Sequence, residues 1–433
     1  MKEYRKYAEE MLEFIENSPT AFHAVENLKA AMARQGFRPL EETGAWELAA
    51  GEGYYVTRND SSLIAFRLPA GGKTAGFHIA ASHGDSPTFK VKESPEMAAE
   101  NAYVKLNTEK YGGMILSSWL DRPLSVAGRV VVKGEKGIET RLINIEEDLM
   151  VIPSLAIHMS RDTPAKGEYN PQVDMLPLYG TCDGEKGSDA GRHMFMERVA
   201  KAAGTEADGI LGHDLFLYVR DKGRILGENG DFVLSSRLDD LQCAYTSSRA
   251  FLESVPEDYI NVCVVFDNEE VGSGTKQGAA STFLEDVLWR IGESLGLSKS
   301  EYLQLIAGSF LISADNAHAV HPNHPEKADP TNRPFLNRGI VLKFHGSQKY
   351  ATDAVSAAKI RTLCQQAGVP CQTYANRSDI AGGSTLGNIS TAHVSVSSAD
   401  IGLPQLAMHS AVETAGVKDT KYAVDMFRVF FAG

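Results

Sequence analysis

Four short clusters of histidine and acidic residues each follow an apolar run of this sequence. They occupy residues 83–87 (HGDSP), 267–270 (DNEE), 315–318 (DNAH) and 406–409 (LAMH). In an open α/β sheet, ligands bind beyond the carboxyl ends of the strands. Clusters that lie far apart along the chain can therefore converge on one crevice. Histidine nitrogens with carboxylate oxygens suit zinc, cobalt or manganese, and this donor set excludes the thiolate-rich class of structural zinc sites.

A fifth segment, SRLDDL at residues 236–241, can complete a two-metal centre. A pair of divalent ions about 3.5–4 Å apart needs a carboxylate that bridges them, and Asp239 can supply it. The hypothesis names five metal ligands, which are His83, Asp239, Glu270, Asp315 and His409. Their carboxylates would offset most of the positive charge that two divalent ions carry.

The adjacent residues Glu269 and Glu270 are predicted to have different roles, one as a metal ligand and the other as a general base. Neighbouring residues on an extended chain point in opposite directions, so one carboxylate can bind metal while the other accepts a proton from the attacking water. We assign the general base to Glu269, and an exchange of roles with Glu270 is the alternative. Asp85, two residues after His83, is placed to orient the imidazole.

The elements that must position these clusters alternate between strands and helices. Two amphipathic helices open the chain, and apolar runs then predict strands. The predicted strands are residues 61–68, 76–82, 259–266, 310–314 and 339–344, a short strand from Cys371, and another at 394–397. The predicted later helices are residues 281–295, 353–367 and 422–431. This alternation predicts an α/β fold with a mixed, mainly parallel sheet flanked by helices on both faces.

Between residues 90 and 230 the pattern changes to β-rich. Residues 126–145 read as a hairpin with its turn from Gly134 to Gly137, and clear amphipathic helices are scarce until Glu197. We therefore predict a discontinuous catalytic domain of residues 1–90 and 235–433, interrupted by an inserted β-rich domain of residues 91–234. The alternative, a long irregular lid, is disfavoured because long structureless loops are uncommon.

Composition excludes several classes of protein. The 433 residues carry 43 Lys and Arg against 56 Asp and Glu, a net charge of −13, which argues against a nucleic-acid partner. No run approaches the roughly 20 apolar residues that cross a bilayer, and the first residues lack a signal-peptide core. The five cysteines form no CxxC pair. We expect a cytoplasmic protein with no membrane partner.

Taken together, the motifs resemble the aspartyl aminopeptidase family of cocatalytic-zinc metallopeptidases, in its bacterial form. They are SHGDSP (82–87), LDDL (238–241), DNEEVGS (267–273), SADNAHAVHPNH (313–324) and LAMHSAVE (406–413). The resemblance runs essentially from end to end. Gly84 stands where threonine is common in the family, and Asp240 stands where asparagine is common. Neither departure replaces a proposed ligand.

The resemblance implies roles for individual residues. Asp239 would bridge two ions, which are zinc in the family, with cobalt or manganese as alternatives. His83 and Asp315 would complete one site, and Glu270 and His409 the other. Glu269 matches the family's general base and Asp85 its histidine-orienting acid. The implied substrate contacts are His158, His318, Lys343 and Tyr350, and His158 would reach a neighbouring subunit's site.

The resemblance also implies a zinc-peptidase-like fold, an inserted domain that mediates dimerisation, and a homododecamer built from dimers. The substrates would be peptides with a free N-terminus, with a preference for N-terminal Asp or Glu. A broad or neutral-residue aminopeptidase, an amide deacylase or carboxypeptidase on the same scaffold, and a catalytically silent metal-binding protein are the alternatives.

Some residues also have simpler interpretations. Lys343 can be a solvated strand end, Tyr350 a core residue of the following helix, and His158 part of an ordinary strand. His321 and His324 are interpreted as loop residues, because the prolines beside them disfavour a shared helical face. Residues 272–278 (GSGTKQG) match neither phosphate-binding pattern and read as a turn.

Overall fold

The computed structural model describes residues 1–71, 74–135, 137–159, 169–182, 193–383 and 385–433. Its contacts divide the chain into two compact units. The first comprises residues 1–85, 223–408 and 413–433, and the second comprises residues 86–222 and 409–412. No helix in the described ranges is long and apolar enough to cross a membrane.

Helices and strands alternate in the first unit and strands dominate the second. The helices are α1 (Lys2–Glu16), α2 (Ala21–Arg34), α3 (Met194–Ala203), α4 (Leu238–Glu253), α5 (Phe283–Ser294), α6 (Lys299–Ala307), α7 (Ala354–Ala367), α8 (Leu386–Ser390) and α9 (Val417–Ala432). The strands are β1 (Arg38–Pro39), β2 (Gly53–Arg58), β3 (Ser62–Arg67), β4 (Gly76–His83), β5 (Thr88–Ala99), β6 (Tyr103–Tyr111), β7 (Leu124–Gly134), β8 (Gly137–Asn144), β9 (Leu178–Thr181), β10 (Ile210–Val219), β11 (Arg224–Leu226), β12 (Phe232–Ser235), β13 (Tyr259–Phe266), β14 (Phe310–Ala314), β15 (Ala317–His318), β16 (Ile340–Phe344), β17 (Cys371–Ala375), β18 (Ser397–Gly402), β19 (Pro404–Leu406) and β20 (Glu413–Gly416).

A nine-stranded sheet forms the centre of the first unit, in the order β1-β2-β3-β13-β4-β14-β18-β16-β17. Its central strands β13, β4, β14 and β18 run parallel, whereas β3 and β16 pair antiparallel with their inner neighbours. The carboxyl ends of β13, β4 and β14 therefore meet at one edge. This arrangement confirms the predicted mixed, mainly parallel sheet.

Alternating side chains of the central strands pack into two hydrophobic cores, one on each face of the sheet. Cys263 and Val265 of β13 contact the core formed with α2, α4, α7 and α9. Val262 and Val264 contact the opposite core, formed with α5 and α6. Successive residues of a strand point to opposite faces, so a strand covered on both faces must be apolar throughout. This explains the continuous apolar runs in the sequence.

A smaller sheet of five strands, in the order β11-β12-β20-β19-β15, also belongs to the first unit. Strand β20 pairs antiparallel with β12 and with β19. These strands are short, so no periodic signal marks them, and the sequence did not predict this sheet.

The second unit contains a six-stranded sheet in the order β8-β7-β10-β5-β6-β9. Strands β7 and β8 form the predicted hairpin, in which Gly134 pairs with Gly137. Helix α3 packs its buried face, including Phe195 and Val199, into the core of this unit. Parts of the β-rich segment lie outside the described residues.

One strand prediction was wrong, and one helix is longer than predicted. The strand predicted at residues 394–397 begins only at Ser397 and continues to Gly402. The last helix begins at Val417, five residues before the predicted start. Helix α4 was not predicted, because it is buried along most of its length and thus lacks a clear polar face.

Candidate metal centre

His83 is the last residue of β4, the buried strand between β13 and β14. It pairs in register with Phe266, the last residue of β13. Only 1% of His83 is exposed. The strand therefore delivers the imidazole to the carboxyl edge of the sheet, as the sequence pattern predicted.

Asp239 reaches the same edge from the start of α4. Its Oδ1 lies 3.6 Å from Nε2 of His83. The neighbouring residue Asp240 is fully buried, and its Oδ2 accepts the backbone N–H of His83 at 3.2 Å. The peptide bond between Asp239 and Asp240 is cis. Asp240 thus connects the end of β4 to the beginning of α4.

Asp315 follows β14 directly and completes a buried group of possible metal ligands. His83, Asp239, Asp240 and Asp315 each offer a ligand atom, and these atoms lie within 4.8 Å of one another. The sequence hypothesis included three of them. It treated Asp240 only as a departure from the family pattern.

Glu269 and Glu270 lie beside the same imidazole. One ligand atom from each of Glu269, Glu270 and His83 lies within 4.8 Å of the other two. The two glutamates are in a 3-10 turn, Glu269–Val271, that follows a left-handed residue at Asn268. The premise that they occupy an extended segment was therefore wrong, and their division of roles does not follow from strand geometry.

Asp85 connects the loop after β4 to this turn. Its Oδ1 accepts the backbone N–H of Glu269 and its Oδ2 accepts that of Glu270, both at 3.1 Å. Nδ1 of His83 lies 3.1 Å from the backbone carbonyl of Asp85 and 3.4 Å from its Oδ1. Asp85 therefore contacts the imidazole and both glutamate amides.

The electrostatics of this cluster favour a bound cation. Burial raises the pKa of Glu269 to about 7, with further contributions from Asp315 and Asp85. Burial and the charge of Asp239 raise the pKa of Glu270 well above its usual value. Burial alone would lower the pKa of His83, but the surrounding carboxylates, with Asp85 first, raise it overall. The carboxylates repel one another, and a divalent ion would remove that repulsion.

The donor set fits the predicted metals. It consists of an imidazole with several carboxylates and contains no thiolate, as zinc, cobalt and manganese accept. The ligand atoms are buried and already close together, so little reorganisation is needed to bind an ion.

His409, the fifth predicted ligand, has a left-handed backbone with φ of 65°. It begins the segment 409–412 that clusters with the second unit. Its carbonyl accepts the backbone N–H of Ile115 at 3.0 Å. Its role as a ligand stays a prediction.

Lys343 is buried, and the interpretation as a solvated strand end was wrong. Only 3% of it is exposed. Its Nζ donates to the carbonyl of Asn316 at 2.9 Å and lies 3.6 Å from Oδ1 of Asp315. Burial alone would lower the pKa of Lys343, but Asp315 raises it overall, so the side chain stays charged. This cation partly neutralises Asp315.

Tyr350 lies near Lys343, and both Tyr350 and His318 lie beside the ring of Tyr374. Nζ of Lys343 is 5.5 Å from the ring centroid of Tyr350. The rings of Tyr350 and His318 lie 6.4 Å and 6.2 Å from that of Tyr374. Tyr350 is buried but precedes α7, so its assignment to that helix was wrong. His318 is exposed in β15.

His158 lies in an exposed turn of the second unit, so its interpretation as part of an ordinary strand was wrong. Its predicted contact with a neighbouring subunit stays a prediction.

Four buried residues next to the predicted ligands received no role from the sequence. They are Asp240, Asn316, Gln405 and Glu413. Asn316 and Glu413 lie inside quoted motifs, but nothing in their spacing indicates which atoms they contact. Their partners are distant along the chain, since 76 residues separate Asp240 from Asn316 and 174 separate Asp239 from Glu413.

Comparisons with known proteins identify the family of this chain. A family profile described as aminopeptidase I zinc metalloprotease (M18) matches residues 14–431. A protein from Clostridium acetobutylicum named "Probable M18 family aminopeptidase 2" is 45% identical over 434 residues, covering 100% of both chains. A protein of the same name from Clostridium novyi is 46% identical over 434 residues, again covering 100% of both chains.

Solved structures show the same architecture. The cryo-EM structure of the Ape4 and Nbr1 complex matches with a TM-score of 0.94 at 36% identity, covering 99% of this chain and 86% of that chain. The crystal structure of prApe1 matches with a TM-score of 0.92 at 30% identity, covering 99% of this chain and 95% of that chain. The predicted family, the zinc-peptidase-like fold and the assignment to peptide-hydrolysing enzymes are confirmed. This chain belongs to the M18 family of aminopeptidase I zinc metalloproteases.

Proposed function

We propose that this enzyme uses two divalent metal ions to hydrolyse the N-terminal residue from peptides. The single observation that supports this most is the buried group of His83, Asp239 and Asp315, with Glu269 and Glu270 beside the same imidazole. We assign two ions per subunit, with zinc as the physiological metal. His83 and Asp315 would hold one ion, Glu270 and His409 the other, and Asp239 would bridge them.

When bound, such ions polarise the scissile carbonyl and lower the pKa of water. The protein's own contribution begins with Glu269, which accepts a proton from the attacking water and donates it to the departing amine. Burial raises the pKa of Glu269 to about 7 in the metal-free chain, and bound cations would lower it, so the carboxylate would be ionised and able to accept that proton. Asp85 holds Glu269 through its backbone N–H and contacts the imidazole of His83.

We propose that four residues contact the substrate, which are His318, Lys343, Tyr350 and His158. The exposed His318 can donate a hydrogen bond to the oxygen that becomes negative during attack. We assign a preference for N-terminal Asp or Glu, and Lys343 is the candidate cation for the acidic side chain. In the metal-free chain its Nζ is held by Asp315 and by the carbonyl of Asn316. A broad or neutral-residue preference is the alternative.

The domain division and the assembly are part of the proposal. Residues 1–90 and 235–433 would form the catalytic domain, and residues 91–234 the β-rich dimerisation domain. We propose a homo-oligomer, a dodecamer built from dimers. One structural neighbour is described as the mApe1 dodecamer from S. cerevisiae, at 27% identity and a TM-score of 0.85. Sedimentation equilibrium of the purified chain measures its assembly directly, and a monomer would contradict this part.

A panel of aminoacyl amides tests the reaction. We expect hydrolysis that requires a free α-amino group, stops after metal removal and returns with zinc. N-acetylated Asp and Leu amides serve as matched controls, since cleavage of these would indicate an amide deacylase. Release of a C-terminal residue from blocked peptides would indicate a carboxypeptidase. Faster cleavage of Leu or Met amides than of Asp and Glu amides would reject the acidic preference alone.

A further inference from the structure

Glu413 contacts the backbone of Asp239, although the proposed hydrolysis assigns Glu413 no role. Its Oε2 accepts the N–H of Asp239 at 3.0 Å, and its Oε1 accepts a hydrogen bond from Nε2 of Gln405 at 3.4 Å. Only 2% of Glu413 is exposed. The residue begins β20, where it pairs with Ser235 of β12. A sheet strand, not a loop, therefore holds this carboxylate in place.

The contacts of Gln405 determine which of its atoms faces Glu413. Its Oε1 accepts a hydrogen bond from Nδ2 of Asn316 at 2.8 Å. The same Nδ2 lies 3.0 Å from the carbonyl of Leu238 and 3.2 Å from Oε1 of Gln242, so three acceptors share its two hydrogens. Because the amide group of Asn316 acts as a donor here, the oxygen of Gln405 must face it. The NH₂ group of Gln405 is then directed at Glu413.

The chain of hydrogen bonds returns to the candidate ligands through Asp240. The backbone N–H of Asn316 donates to Oδ1 of Asp240 at 3.2 Å, and that of His83 donates to Oδ2 at 3.2 Å. Asp240 is bonded covalently to Asp239. The bonds thus form a closed ring that includes the candidate ligand Asp239. Five residues form this ring, and His83 donates to one of them from outside it. Each of the six is at most 3% exposed; they are His83, Asp239, Asp240, Asn316, Gln405 and Glu413.

We propose that Glu413 is a positioning residue of the metal centre, which acts as a carboxylate whose two oxygens both accept hydrogen bonds within this ring. It fixes the backbone of Asp239 and, through Gln405 and Asn316, the position of the segment after β14 that carries Asp315. This proposal rests on the proposed metal centre. A merely structural carboxylate would stabilise the fold without changing how the centre binds metal.

The donor and acceptor pattern provides a sharp test. Glu413→Gln preserves the size of the side chain but replaces one acceptor oxygen with an NH₂ group. This NH₂ group must face either the N–H of Asp239 or the NH₂ of Gln405. Two donors then face each other, and one hydrogen bond of the ring is lost. The double variant Glu413→Gln with Gln405→Glu restores the match. Its carboxylate at position 405 accepts from Asn316 and from the new amide at position 413, and the oxygen of that amide accepts from Asp239. The negative charge moves from position 413 to position 405, and every bond of the ring can form again.

The measurement is the affinity of the metal-depleted full chain for Co²⁺, by competition with a chelator, together with the visible absorption bands of the bound ion. Outer contacts of this kind change metal affinity by about 10–100-fold. We expect a loss of that size and altered bands for Glu413→Gln, and recovery to within about threefold of the wild type in the double variant. Asp419→Asn is the matched control, because Asp419 is a buried carboxylate that also accepts two backbone N–H groups, from Asn337 and Gly339. It should leave both readouts unchanged.

Wild-type affinity and bands in a folded Glu413→Gln variant would overturn the proposal. A double variant that folds but binds Co²⁺ more than about tenfold more weakly than the wild type would also overturn the proposal. This second test does not require the single variant to fold. If the wild-type chain itself binds no Co²⁺, the proposed metal centre fails, which is a different outcome from failure of the Glu413 assignment alone.

Discussion

Oδ1 of Asp85 lies 3.1 Å from the backbone nitrogen of Glu269 and accepts its N–H. The other oxygen of Asp85 accepts the N–H of Glu270 at the same distance. One buried carboxylate thus positions the turn that carries both glutamates, while it also lies beside the imidazole of His83. The candidate base and a candidate ligand share one anchor.

Replacing Asp85 with asparagine should reduce turnover or metal affinity by about 10–100-fold. Asparagine offers one acceptor oxygen, so one of the two glutamate N–H groups loses its partner. The measurement is kcat at saturating zinc together with the bound metal content. Asp353→Asn makes the same exchange at the N-cap of α7, where asparagine caps equally well, and should leave kcat unchanged. Wild-type kcat and metal content in Asp85→Asn would remove Asp85 from the positioning role.

Replacement of each glutamate by glutamine distinguishes the base from the ligand. Glu269→Gln should keep its metal and lose about 10²–10⁴-fold in kcat, because glutamine cannot accept the proton. Glu270→Gln should instead lose metal, since an amide is a weaker ligand than a carboxylate. Metal content after dialysis and kcat are measured on both variants. The reverse pattern would mean that the two residues exchange roles.

Lys343→Met should destabilise the metal-free protein by about 3–5 kcal/mol, because it leaves the buried carboxylate of Asp315 without its cation. Urea unfolding measures the loss, and added zinc should reduce it by supplying positive charge. The exposed Lys299 is a control position whose replacement by methionine should have little effect. Unchanged stability with a raised KM for Asp and Glu amides alone would instead favour a contact with the substrate.

Asp419 should make the free energy of unfolding depend on pH. Burial raises its pKa to about 7, against the hydrogen bonds from Gly339 and Asn337, which lower it. Between its unfolded value near 3.9 and about 7, the folded chain binds the extra proton. The contribution of this group is therefore fully present below pH 4 and lost as pH rises towards 7, by on the order of 1 kcal/mol per unit.

Asp419→Asn cannot ionise, so the free energy of unfolding of the wild type minus that of the variant should decrease as pH rises from 4 to 7 and stay level above that. Urea unfolding across this range measures the difference. A difference that increases with pH would show that the bonds to Gly339 and Asn337 outweigh burial.

The buried strands were predictable because helices cover them on both faces. Strands β13 and β14 are apolar in almost every position, and each prediction coincides with the structure to within one residue. Helix α4 was missed for the same reason, since burial on nearly all sides leaves no polar stripe. The five-stranded sheet was missed because its strands are short and pair with segments distant along the chain.

Within the candidate site, residue types and their order at strand ends were enough to select His83, Asp239 and Asp315, which the fold brings within 4.8 Å. The contacts of these side chains were not predictable in the same way. The carboxylate of Asp85 reaches residues 184 and 185 positions away, and Glu413 reaches Asp239 across 174.

The amino-acid sequence by itself determined the family, the α/β alternation and the kind of ligand, because these depend on local pattern and on side-chain chemistry. Only the tertiary structure decided that Lys343 is buried against Asp315, that the two glutamates share a turn, and that Glu413 closes a ring with Asp240. A hydrogen bond depends on distance and direction in space, and the packing of distant strands and helices sets both.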